Sequence, residues 1–226
     1  DLGTDSVNGR TVIKMPGDRW ILFTKGPAMG PAVLFWGLLL VIFLVAAGLG
    51  QIRITPLRAR QWMLLGVGLS QLEVEMAAII VAWFLALGLR ARIKPGLSKA
   101  AFNSIQAGLV VLTIAALATL FEGISQGLLG RPEMHIAGNG SHAYTLNWFQ
   151  DRCASLLPTA SAISVPLPVY RFLMLAWSLW IASAMIGWLK WGWHCFSTNG
   201  IWEKIKPKVI SQGSDKKKEG EKKRKS

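Results

Sequence analysis

Two cysteines, two tyrosines and three histidines are all that this 226-residue chain holds of those types. Two cysteines make no thiolate metal set. Cys153 and Cys195 also fall in different segments, which the topology below puts on opposite sides of a membrane, so a disulfide cannot form. Free thiols in small apolar niches are expected. Acidic residues are few as well, 12 against 25 Lys and Arg, giving a formal charge of +13. No Gly-rich phosphate loop, nucleophile elbow or paired-Cys zinc motif occurs. Without a nucleophile–base pair or a full ligand set, a membrane enzyme ranks last of three readings, and no cofactor is implied.

Apolar residues, by contrast, come in long blocks edged with tryptophan rather than at the periods of a soluble helix or strand. That pattern is the membrane class. The positive charge then says which side the loops face, and nucleic acid is not an expected partner. The first block, residues 32–50, has no charge and about the ~20 residues needed to cross. Residues 100–122 and 167–189 are further spans, the last with Arg171 at its mouth and an interfacial belt of Trp188, Trp191 and Trp193 beside Lys190 and His194.

The stretch 61–89 is ambiguous. It is apolar but carries Glu73 and Glu75 near its middle, with Arg53, Arg58 and Arg60 before it and Arg90, Arg92, Lys94 and Lys99 after it. It crosses once, or it doubles back as half-helices Gln61–Leu72 and Glu75–Leu89 meeting at Ser70–Glu73. Doubling back puts both basic flanks on one face, which the positive-inside rule favours.

Residues 1–30 alternate. Thr11–Lys14 and Arg19–Lys25 read as two strands around the turn Met15-Pro16-Gly17-Asp18. Two strands alone are marginal in water, so this opening implies either a missing neighbouring domain, of which it reads as the end, or packing on the membrane surface. The loop 130–166 carries little net charge and belongs on the same outer side, with a short helix expected near Leu146–Ala154. The tail 197–226 is basic and ends in a disordered lysine-rich run.

These readings add up to an all-α integral membrane protein with three full transmembrane helices plus a re-entrant helical hairpin. A four-helix bundle is the alternative, and a short β-hairpin-like piece precedes either. The domains are an extracytoplasmic segment 1–30, a membrane domain 31–196 and a cytoplasmic tail 197–226.

Several phrases carry a resemblance: PGDRW, GPAMGPAVLFW, TPLRARQWMLLGVGLSQ, MHIAGNGSHAYTLNWFQDR, PLPVYRFLMLAWSLWIA and WGWHCF. Together they resemble the C-terminal membrane region of large bacterial multi-pass inner-membrane proteins of uncharacterised function. The resemblance implies a bacterial inner membrane and an upstream extracytoplasmic domain, in keeping with the outer N-terminus and cytoplasmic C-terminus that the basic clusters indicate. It carries over no catalytic residues.

The expected role is a non-catalytic anchor and assembly module, with the bilayer, other membrane subunits or an upstream domain as partners. The lysine tail can attract anionic lipid. The alternative is a transporter or channel subunit handling protons or cations at Glu73 and Glu75, since ionisable groups at membrane depth are costly and often functional. Glu122, Gln126 and Arg171 are expected to join them in one polar pocket. His135 and His142 are the candidate metal ligands, but zinc sites use closer and fuller sets, and loop histidines are the expectation.

Overall fold

The structure, a computed structural model, describes residues 6–27, 29–93, 98–153, 159–198 and 200–201. It is a helical bundle with a β platform on one end. The helices are α1 (Phe35–Gln51), α2 (Ala59–Leu69), α3 (Val74–Arg90), α4 (Lys99–Leu129) and α5 (Leu167–Ser197). The strands are β1 (Ser6–Lys14), β2 (Arg19–Lys25), β3 (Ala32–Val33), β4 (Ile136–Ala137), β5 (Thr145–Cys153) and β6 (Ser161–Pro166).

The strands overturn the all-α expectation. β1 and β2 do not form a hairpin with each other. β1 pairs antiparallel with β5, from Lys14 opposite Thr145 to Ser6 opposite Cys153. β2 pairs antiparallel with β6, with a register shift between Ile21 and Phe23, and β3 pairs with β4. The missing partners of the opening strands therefore come from the loop 130–166, more than a hundred residues on. The helix expected at Leu146–Ala154 is strand β5: Thr, Trp and Phe suit a pleated surface, and the buried Leu146 and Trp148 share one face by period two. With Ile21 and Met134 they form the small core of the platform.

Three or four full spans are overturned too. Among the described residues two helices, α4 and α5, are long and apolar enough to cross a membrane. Each has 31 residues, about 46 Å at 1.5 Å per residue. Only 22% of the apolar window of each is buried inside the protein, whereas the core helix of a water-soluble fold would be mostly covered. α1 has 17 residues, about 26 Å and short of a hydrocarbon core of about 30 Å. The interrupted stretch 61–89 is neither a single crossing nor a span.

Local chemistry sets the helix ends. Ser98 caps α4, its hydroxyl accepting from the Ala101 amide at 3.3 Å. Pro168, in the first turn of α5, gives up an amide that has no helical partner there. The Gln61 side chain reaches back to accept from the Arg58 amide at 2.9 Å and starts α2. α2 stops at Leu69 and α3 starts at Val74, with Glu73 at its N-cap and Glu75 in its first turn, where the helix dipole favours negative charge.

From that tip the two helices fold back, so Trp62 meets Phe84 edge-on at a centroid distance of 5.4 Å. Phe84 in turn meets Trp188 of α5 at 5.2 Å. The main core lies here, around Leu65, Ile80, Trp83, Phe84, Leu120 and Ile181. Gly68 lets Trp177 lie directly on α2; a Cβ at that position would overlap the indole ring. The same indole donates to the Leu64 carbonyl at 2.8 Å.

Candidate functional site

The bundle has two chemically distinct ends. At the platform end, Trp20 of β2 makes edge contacts with Phe35 at 6.1 Å and Tyr170 at 5.4 Å, gripping the starts of α1 and α5. The Leu167 amide donates to the Asp18 carbonyl at 2.8 Å, and the Leu34 amide to the His135 carbonyl at 3.0 Å. Trp36 stacks on Phe23 and donates to the Leu22 carbonyl at 2.8 Å. The α2–α3 tip reaches the same end, where the Gln71 side chain accepts from the Glu133 amide at 2.8 Å.

The acidic candidates also lie towards this end, but they do not form the expected pocket. Leu72 packs beside Gly123, which brings the tip to the level of Glu122. Glu73 and Glu75 are both exposed, and so are Glu122, Gln126 and Arg171. The only link among the five is within one helix, Gln126 donating to Glu122 at 2.8 Å. Arg171 pairs with no carboxylate among the described residues. None of the five is covered by the protein, so the fold itself does not gather them into a buried polar site.

Nor do the histidines converge. His135 is half-buried in a positive-φ backbone conformation. His142 is exposed, and its Nδ1 accepts from the Tyr144 amide at 3.3 Å. Among the described residues, no three His, Cys, Asp or Glu side chains group closely enough to hold a metal ion. Cys153 and Cys195 are both buried free thiols.

The opposite end holds what the sequence reading missed. Arg90, counted above as a flanking loop charge, is only 1% exposed. Its Nε donates to Gln106 Oε1 at 3.2 Å and its Nη2 to the Thr198 carbonyl at 2.9 Å. The guanidinium lies over the Phe102 ring, 4.6 Å from the centroid. Gln106, also 1% exposed, turns its amide nitrogen to the carbonyls of Phe196 and Ile201 at 3.1 Å and of Gly200 at 3.4 Å. Two side chains from α3 and α4 thus fasten the chain where it leaves α5. Residues 202–226, where the lysine-rich tail lies, are outside the described residues.

Around this clasp sit further basic residues, with no carboxylate beside them among the described residues. Arg92 donates to the Arg53 carbonyl at 3.4 Å, so the segments flanking the α2–α3 pair meet at one end. Gly88 lies against the Ile54 carbonyl, which a side chain would block. A cavity of about 530 Å³ opens beside the start of α2, lined by Pro56, Arg58, Arg60, Gln61, Leu64 and Trp180. A second cavity, about 200 Å³, lies at the platform end around Arg19, Arg131, Glu133 and Tyr144. Arg131 lies over the Tyr144 ring and bonds to its hydroxyl.

No protein-family model, no curated protein and no solved structure matches this chain.

Proposed function

We propose that this chain is a membrane anchor module that holds a small β platform against one face of a bilayer. The observation that carries the reading is the grip of β2 on the helix mouths: Trp20 lies against both Phe35 and Tyr170, and Asp18 takes the first amide of α5. The platform is thereby seated on the helices rather than tethered by a linker. Below it, large apolar side chains face outward, among them Leu44 at 67%, Val111 at 67% and Phe172 at 73% exposure. Each such side chain gains about 1.5–3 kcal/mol on leaving water, which lipid supplies.

Orientation follows from charge. Arg53, Arg58, Arg60, Arg92 and Lys190 collect at one end with no described carboxylate among them. The basic residues of the platform end are instead mixed with Asp18, Glu73, Glu75, Glu122, Glu133 and Asp151. The end without described acids belongs beside the cytosol. The platform then faces the extracytoplasmic side of a bacterial inner membrane, where an upstream domain or a partner subunit would rest on it. The test is expression of the full chain in bacteria, alkaline extraction of membranes, and thiol labelling from outside intact cells. The chain should stay with the membrane, a cysteine placed at Thr11 should react, and one placed at Arg53 should not. Release by alkaline carbonate, or labelling at Arg53 alone, would refute the reading.

A further inference from the structure

The cavity at the start of α2 combines features that no other part of the described structure brings together. Two of its six lining residues are arginines, Arg58 and Arg60, both exposed. Neither lies within ion-pair distance of a carboxylate among the described residues. A third, Gln61, has its side-chain oxygen committed to the Arg58 amide, which holds the helix start in shape. The remaining wall is apolar: Pro56, Leu64 and Trp180. It is a depression of about 530 Å³ open to the outside of the bundle, so a ligand there would be held on one side only.

The cavity also lies at a particular depth. Gly50, at the end of α1, packs against Ala59, and Trp177, one turn from Trp180, bonds to Leu64. The arginines therefore sit where apolar helix gives way to the basic end, and the apolar wall runs back along α2 and α5.

We infer that this cavity binds the phosphate of an anionic phospholipid. Arg58 and Arg60 take the phosphodiester, which suits the planar, multi-donor guanidinium group, and Leu64 and Trp180 line the path of the first acyl carbons. A free phosphate would satisfy the arginines but leave the apolar wall unused, and that difference separates the two sources. The inference rests on the membrane reading above. It fails separately from it, because loss of lipid selectivity would leave membrane extraction and topology unchanged.

The experiment uses the full chain in nonionic detergent, titrated with phosphatidylglycerol or phosphatidylcholine and read by native mass spectrometry. Phosphatidylglycerol should be retained in preference to phosphatidylcholine. The Arg58→Gln/Arg60→Gln variant should lose about 25-fold in affinity, at about fivefold for each arginine close to a lipid phosphate. Arg53→Gln, at the same end but outside the cavity, should bind as the parent does. Arg58→Lys/Arg60→Lys should retain part of the preference, which also guards against a variant that fails for want of folding. Inorganic phosphate at high concentration should not displace the lipid. Equal retention of both lipids, or undiminished phosphatidylglycerol binding by the Gln variant, would overturn the inference. Full displacement by inorganic phosphate would overturn the lipid assignment in favour of a soluble phosphate.

Discussion

Replacing Gln106 with leucine should cost this fold more than its size suggests, and replacing Arg90 at the same time should add almost nothing to the loss. Gln106 accepts from Arg90 Nε at 3.2 Å and points its own amide nitrogen at the carbonyls of Phe196, Gly200 and Ile201. Leucine keeps the volume but leaves a buried guanidinium with one bond fewer, and Arg90 Nη1 already has no partner among the described residues. A lost bond to a buried charge costs about 1.5–3 kcal/mol and the orphaned carbonyls about 1 kcal/mol more, so Gln106→Leu should lose about 3–4 kcal/mol. Arg90→Met removes the charge together with its desolvation cost. It forfeits the bond to Thr198 and the stacking on Phe102, for about 2 kcal/mol. The double variant no longer buries an unsatisfied charge and should lose only about 3–4 kcal/mol, leaving a coupling of about 2 kcal/mol. Unfolding of the purified chain in mixed micelles against rising SDS measures all three. Trypsin cleavage near Lys204 offers a second readout, since the clasp holds the exit from α5. A Gln106→Leu loss below about 1 kcal/mol, or losses additive within about 0.5 kcal/mol, would refute the clasp.

Four further outcomes are expected. Gly68→Val drives a side chain into Trp177 and should destabilise by about 1–3 kcal/mol in the same micelle titration; an unshifted midpoint would mean α2 and α5 are not in contact there. Trp20→Ala removes the wedge between Phe35 and Tyr170 and should cost about 3 kcal/mol; protease sensitivity should rise in the platform before the helices. Glu73→Gln/Glu75→Gln should lower stability by no more than about 1–2 kcal/mol, the worth of two exposed carboxylates at a helix amino end; a larger drop would show a structural role beyond the dipole. Cys153 and Cys195 are buried, so both should resist maleimide until the chain is unfolded, and prompt labelling of Cys153 would show that the β1–β5 pair opens readily.

Features set by short stretches of sequence could be read in advance. β2 runs from Arg19 to Lys25, as alternation and flanking turns indicate, and the helix breaks at Ser70–Glu73, where polar residues interrupt an apolar run. The long apolar helices α4 and α5 were legible for the same reason. What could not be read is non-local. Nothing in Ser6–Lys14 announces that its partner is Thr145–Cys153, so two strands looked like an orphan hairpin and their partner looked like a helix. Arg90 was misread because position in a basic flank suggests solvent. Its burial depends on Gln106 and on the chain after α5 arriving at the same point. A signal did exist: Gln106, an amide side chain inside the uncharged run 100–121, needs a partner if it is buried.

The two ends of α3 show why a search for paired opposite charges pointed to the wrong place. The helix carries Glu73 and Glu75 at its amino end and Arg90 at its carboxyl end, and among the described residues none of the three has an ion-pair partner. The helix dipole does the compensating: exposed amides favour the carboxylates, and exposed carbonyls favour the guanidinium. At the basic end the effect is doubled, because α5 finishes beside α3 and presents its own last carbonyls, to Arg90 through Thr198 and to Gln106 through Phe196. Carbonyl dipoles can hold a buried cation where a carboxylate would itself have to be desolvated. This is how Arg90 can be buried, while Glu122 and Arg171, expected in one pocket, are left uncovered by the protein and apart. Arg58 and Arg60, at the amino end of α2, have no such carbonyls and no carboxylate beside them among the described residues, and their exposure leaves both guanidinium groups free to take an external anion.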